Sequence, residues 1–253
     1  MKRNPPTWLE LIISWKINVS IKSKNSELEA TLRLLQYGDS FFPSGTLAFS
    51  SGLETLSIQK RVTNTEELKA FIKSQLYGRW NGLDRPCLTA AFKASQGKNN
   101  IRRLIEIDKI MDCNTLPAEL RSGSILGGKA LLGVHKNLGT PHVSDYREII
   151  KTGDGLGHLP VAQGICFAGC EMDYLDSQIV GMHTLVIGLS SAAIRLGIIG
   201  HIDAQRLIEF LREDIAKILS TDTVEPEDSW SFSPISDIAV MQHETQDTRL
   251  FTN

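Results

Sequence analysis

Cys166 and Cys170 stand four residues apart, a spacing that puts two thiols on one face of a helix; with His158 or His183 they supply the ligand types of a soft metal site. A carrier of nickel or zinc could use such a set. Against it, the six histidines (His135, His142, His158, His183, His201 and His243) are scattered, with no HxxxH or HExxH spacing to concentrate ligands. Free cysteine is also among the most buried residue types, and Ala168 and Gly169 beside this pair fit simple close packing.

A second chemistry is suggested by Gly123 to Ala130, which matches a phosphate-binding loop at Gly123, Gly128 and Lys129. Ala130 stands where a Ser or Thr hydroxyl must hold magnesium, and the preceding Leu116 to Arg121 reads as the first turns of a helix rather than a buried strand. A small-residue helix face is the simpler reading, and a P-loop NTPase is disfavoured. Gly153, Gly155 and Gly157 alternate as GxGxG, which fails the dinucleotide fingerprint and reads as a mobile loop. There is no GxSxG elbow, and neither Glu119 nor Glu171 has an evident partner to split carboxylate pKa values. No coherent catalytic set emerges, so the chain reads as a non-enzyme without cofactor or metal ligands.

The elements that would carry these residues are helical. Leu28, Leu32 and Leu35 precede a Gly-Asp-Ser stop and the loop Phe41 to Gly45. Thr63 and Glu66 form a capping box that opens a helix with Leu68, Phe71, Ile72, Leu76 and Trp80 on its apolar face. Further helices are expected over Pro86–Gln96, Ile101–Cys113, Ala118–His135 and Pro160–Cys170, joined between Leu138 and His158 by a connection rich in Gly, Pro and His. From Met172 to Leu196 the seam Leu175, Ile179, Met182, Val186, Leu189, Ala193 and Leu196 predicts a central buried helix, and Asp203 caps the next one. Strand periodicity is clear only over Trp15 to Lys22.

These signals predict an all-α, single-domain helical bundle. Residues 1–27 form an N-terminal extension, 28–220 the core, and 221–253 a flexible or partner-ordered C-terminal tail. The tail is acidic yet keeps Trp230, Phe232, Ile235, Ile238 and Phe251, so it must dock on its own core or on another protein.

In a chain of 253 residues, 42% apolar and 22% charged residues exclude a disordered or collagen-like polymer. Twenty-seven basic against 29 acidic residues give a net charge of −2, too even for a binder of nucleic-acid backbone. Four cysteines without CxxC spacing fit a reducing cytoplasm. The apolar run near the N-terminus is broken by Glu10, so no signal peptide is read, and Ile179 to Ile194 is too short to span a bilayer.

Five blocks, taken together, resemble the F-type urease accessory proteins (UreF). They are Leu34-Leu-Gln36 through Pro43 and Gly45 to Phe49-Ser-Ser-Gly-Leu-Glu54; Glu119-Leu-Arg121 with Ser124 and Gly128; His158-Leu-Pro-Val-Ala-Gln-Gly164; Ser190 to Arg206; and Asp237-Ile-Ala239, His243-Glu244 and Arg249-Leu-Phe251. Gln163, His201 and Ala204 depart from the pattern. The resemblance implies a helical, homodimeric scaffold with no reaction of its own. Its implied partners are a UreD/UreH-type accessory protein, a UreG-type GTPase and the urease apoprotein, which receives nickel. It also implies partner-binding roles for Pro43, Gly45, Glu54, Glu119 and Arg121, and for His243, Glu244, Arg249, Leu250 and Phe251 in the tail. Pro43 and Gly45 also fit a simple turn, and Glu119 with Arg121 a structural ion pair.

Overall fold

The computed structural model describes residues 26–43, 49–97, 100–246 and 249–251. The expected strand over Trp15 to Lys22 and the site residue Gly45 lie outside them. Among the described residues there is no β-strand, and the all-α single-domain architecture is as expected.

Helix α1 covers residues 26–38. It is followed by α2 (Leu53–Ile58), α3 (Thr65–Gln75), a π-helical segment (Leu76–Asp84) and α4 (Arg85–Ser95). Next come α5 (Ile101–Cys113), α6 (Ala118–Asn137), α7 (Val143–Thr152), α8 (Leu159–Gly169), α9 (Tyr174–Arg195) and α10 (His201–Leu219). A 3₁₀ turn (Pro226–Asp228) and α11 (Pro234–His243) complete the order.

Among the described residues, two clusters of buried side chains make the core. One gathers Leu53, Leu56, Leu68, Ile72, Leu76, Met182, Val186, Leu207 and Leu211 from α2, α3, the start of the π segment, α9 and α10. The other gathers Leu83, Cys87, Phe92, Leu104, Ile107, Leu132, Tyr146, Val161 and Ile165 from the end of the π segment and α4 to α8. The unbroken rod from α3 through the π segment to α4 carries residues of both, and so does α9. At 22 residues α9 is long and apolar enough to cross a membrane, but 61% of its apolar window is buried inside the fold, which makes it a core helix.

Helix ends differ from the sequence reading where two caps compete. Asn64, not Thr63, caps α3: its side chain accepts from Glu66 N and Glu67 N. Glu67 answers by accepting from Thr63 N at 2.7 Å, so the reciprocal box exists one residue further on. Helix α10 begins after Gly200; Asp203 lies in its first turn and pairs with Arg206 at 3.2 Å. Helix α7 falls in the Gly- and Pro-bearing connection, where the sequence signals no helix, and buries Val143 and Tyr146 on its inner face.

The run Gly123–Ala130 lies inside α6, so no phosphate loop forms there. A methyl group on Gly128 would overlap the carbonyl oxygen of Gly157, which shows how closely α6 approaches the turn before α8. The glycine-rich stretch Gly153–Gly157, expected to be mobile, is instead tied down. The carboxylate of fully buried Asp108 accepts from the backbone N–H groups of Leu156, Gly157 and His158 at 2.6, 2.6 and 2.9 Å and from the Tyr146 hydroxyl at 2.7 Å. A buried carboxylate needs such donors to offset its lost hydration.

Candidate functional site: a carboxylate clamp on the C-terminal segment

Glu54 lies in the first turn of α2 and Glu119 in the first turn of α6, where the helix dipole favours negative charge. His243 is the last residue of α11, where the dipole favours positive charge, and its ring is fully buried. Its Nδ1 is 2.8 Å from Glu119 Oε2 and its Nε2 is 3.2 Å from Glu54 Oε2. A neutral imidazole has one N–H and can satisfy one of these carboxylates; only the imidazolium donates to both.

The same two carboxylates hold the chain beyond α11. Glu54 accepts the backbone N–H of Leu250 at 2.7 Å and of Phe251 at 3.1 Å. Glu119 Oε1 accepts from Arg249 Nη1 at 3.0 Å, and Arg249 Nη2 donates to the Glu244 carbonyl at 2.7 Å. The Phe251 ring is buried in the first core cluster, with the Arg195 guanidinium 4.2 Å from its centroid. Two carboxylates therefore meet the His243 ring, the Arg249 guanidinium and two main-chain donors.

Upstream, the tail is held through its backbone. Trp230 N donates to Gly82 O at 2.8 Å and Phe232 N to Gly78 O at 2.7 Å. Gly78 and Gly82 are four apart on the π segment, so a strap of extended chain with its two-residue repeat lies along one helical face. Buried Arg85 fixes the start of the tail: its guanidinium donates to Gln178 Oε1 at 2.8 Å, Ile218 O at 3.0 Å and Thr221 O at 2.6 Å.

Of the two places open to the tail, the isolated chain uses its own core: Ala239, Val240, His243 and Phe251 are buried. The tail is nonetheless apolar on its outer side as well. Trp230 is 50% exposed, Phe232 71%, Ile235 53% and Ile238 52%, and Leu250 also lies outward.

Among the resemblance-derived residues the structure brings together Glu54, Glu119, His243, Glu244, Arg249, Leu250 and Phe251. Pro43 is exposed at the edge of the described residues. Arg121 does not pair with Glu119; it donates to the carbonyls of Thr115 and Leu116 at 2.7 and 2.8 Å, closing the corner between α5 and α6. Sequence reasoning misses Gly78, Gly82 and Arg85; a Gly pair at helical spacing is the only signal available for them.

The thiol pair does not assemble a ligand set. Cys166 is fully buried and burial pushes its thiol well up, whereas Cys170 contacts the Tyr37 hydroxyl at 3.2 Å and His135 Nδ1 at 3.7 Å. Among the described residues no three His, Cys, Asp or Glu side chains are placed to hold a metal ion. Burial lowers His135 from its ordinary 6.5 to about 4. Between those values the unfolded chain binds a proton that the folded one refuses, so this group costs stability as pH falls from about 6.5 to about 4. His135→Asn is expected to lower stability by a pH-independent amount while flattening that acid slope, as measured by urea unfolding at pH 4.5 and 7.5.

Fold and clamp together define the class: an all-α protein that closes on its own C-terminal segment through two carboxylates at helix starts and leaves the segment's outer face apolar. Comparison with known proteins gives the family. The UreF family model matches residues 62–212, more than half of the chain. The urease accessory protein UreF of Trichodesmium erythraeum is 31% identical over 231 residues, covering 90% of this chain and 99% of its own length. UreF 1 of Brucella melitensis biotype 1 is 30% identical over 245 residues, covering 91% and 96%. The chain belongs to the UreF family of urease accessory proteins.

Proposed function

We propose that this chain is a non-catalytic cytoplasmic scaffold for urease maturation. It works as a homodimer with a UreD/UreH-type accessory protein and a UreG-type GTPase, and the assembly passes nickel, as cargo, to apo-urease. The observation that supports this reading is the two-sided tail. Its inner face is committed to the core, while Trp230, Phe232, Ile235, Ile238 and Leu250 stay exposed in one C-terminal segment. An apolar face of this kind marks a protein-binding surface, and aromatic residues dominate such contacts. The clamp then acts as a positioning device that presents the face in one shape, lowering the ordering cost of binding.

Cutting the tail away would be a poor test, because it would strip Phe251 from the core and leave Glu54 and Glu119 unpaired. Ile235→Asp combined with Ile238→Asp changes only the outer side of α11. In co-expression with UreD/UreH-type and UreG-type proteins, the double variant should keep its circular dichroism and melting curve. Its capture of the UreD/UreH-type partner should weaken by at least about tenfold, the scale of losing a central apolar contact. Undiminished capture, or a wild-type chain that captures no partner, would refute the reading.

A further inference from the structure

Lys129 sits on a helix and in no phosphate loop, yet its side chain lines a pocket of about 310 Å³ between α6 and α7, together with Leu132, Arg147, Ile150 and Lys151. Each helix contributes residues three or four apart, the spacing of one face: Lys129 and Leu132 from α6, and Arg147, Ile150 and Lys151 from α7. Small residues let the walls come close. A methyl group on Gly133 would lie 3.2 Å from Arg147 Nη1, so the guanidinium rests on α6 where a side chain is missing. A methyl group on Gly157 would lie 2.7 Å from Ile150 Cδ1 and 3.5 Å from Lys129 Cγ, which sets both walls against the turn that Asp108 tethers.

Three cations line this pocket, and one of them is neutralised. Lys151 Nζ is 2.6 Å from Glu148 Oε1, whereas Lys129 and Arg147 have no acidic partner among the described residues. Arg147 Nε is buried with no hydrogen-bond partner there, a donor removed from water that the chain itself does not satisfy. The Glu148 carboxyl feels the same field: its hydrogen bond from Lys151 holds it below its ordinary range, and the nearby charges of Lys136 and Arg147 lower it further. Three cations less the one paired with Glu148 leave two positive charges uncompensated. A phosphate monoester carries about −1.5 to −2 at pH 7 and presents three acceptor oxygens, a match for a guanidinium fork beside an ammonium; a lone carboxylate would leave one cation unanswered. We propose that the α6–α7 pocket binds a phosphate group presented by a small monoester, with Arg147 and Lys129 holding the phosphoryl oxygens, Lys151 at the rim, and Leu132 and Ile150 against the ester's apolar body. None of these residues belongs to the clamp or to the tail, so the site is independent of the scaffold role.

Calorimetry and thermal unfolding of the full chain test the proposal, with inorganic phosphate and phenyl phosphate as probes and sodium chloride at matched ionic strength as the reference. Both probes are expected to bind once per chain and to raise the melting temperature with concentration, phenyl phosphate more tightly because its ring reaches Leu132 and Ile150. Arg147→Gln and Lys129→Gln should each weaken phenyl phosphate binding by about tenfold, the scale of one lost charge-assisted hydrogen bond, and together by about a hundredfold. Lys151→Gln should cost less, since Glu148 already shares that ammonium. Arg102→Gln, on α5 and paired with Glu106, is the control and should leave binding unchanged. Lys129 is exposed, so its variant decides the question even where Arg147→Gln fails to fold. Probes that bind no better than chloride, or binding indifferent to Lys129→Gln and Arg147→Gln, overturn the proposal. So does benzoate binding as tightly as phenyl phosphate, because the pocket would then accept any single carboxylate, such as an acidic side chain of a partner protein. Inorganic phosphate binding as tightly as phenyl phosphate overturns the assignment to an ester.

Discussion

Glu54→Ala is expected to release the last turn of the chain while the helical core stays folded. The carboxylate accepts three hydrogen bonds, from the His243 ring and from the main-chain N–H groups of Leu250 and Phe251. Removing it leaves the buried His243 ring with one carboxylate partner instead of two, and two amides with no acceptor. A buried donor left without an acceptor costs about 1–3 kcal/mol, so the two amides and the lost ring contact together cost on the order of 3–5 kcal/mol. At roughly 2–4 °C per kcal/mol for a domain of this size, the melting temperature should fall by on the order of 10 °C. Hydrogen exchange should accelerate over residues 239–251 and stay slow in α4 and α8, which belong to the other core cluster. Glu54→Gln, which keeps an acceptor oxygen for one of the two amides, should lose less. If the Ala variant exchanges like the wild type at the C-terminus, Glu54 is not what holds the tail.

Gly82→Ala should destabilise the protein, although Ala is the better helix former by about 1 kcal/mol. The added methyl would overlap the Trp230 carbonyl oxygen and lie 3.0 Å from the Trp230 ring. The strap must therefore lift, losing the hydrogen bond from Trp230 N to Gly82 O and straining its neighbour at Gly78. Overpacking of this kind costs about 1–3 kcal/mol, enough to reverse the sign of the helix gain. Gly127→Ala in α6 is the control: its methyl would meet Phe49 at 3.5 Å and Leu159 at 3.8 Å, ordinary contact distances. It should be neutral or stabilising by up to about 1 kcal/mol. Chemical denaturation of the two variants side by side decides the matter; equal midpoints would mean that the strap is not seated on the π segment.

Much of the helical framework is legible in the sequence because its signals are local. The bounds expected for Ile101–Cys113 are those it has in the fold, since Leu104, Ile107 and Met111 repeat at one helical period. The first turns of α9 are less legible: Leu175 belongs to the same apolar seam as Met182 and Val186, yet it is half exposed, and periodicity cannot say which part of a seam finds a neighbour. Helix α7 is hidden by the glycines after it, and their tether, Asp108, lies about 50 residues away in sequence. The clamp is a different case. Glu54, Glu119 and His243 come from α2, α6 and α11, and no spacing rule connects them. The family resemblance marks all three, but that His243 lies between the two carboxylates is visible only in three dimensions. Gly78 and Gly82 match no motif, because what they accommodate is the main chain of the strap.

That last contact separates two duties. The strap is moored to the π segment by amide hydrogens and carbonyl oxygens, which every residue except proline supplies alike, so the mooring does not depend on which side chains face outward. Phe232 can therefore be exchanged for a residue that suits a different docking protein without loosening the anchorage, and related chains can diverge in whom they recognise while keeping the same hold on their own C-termini.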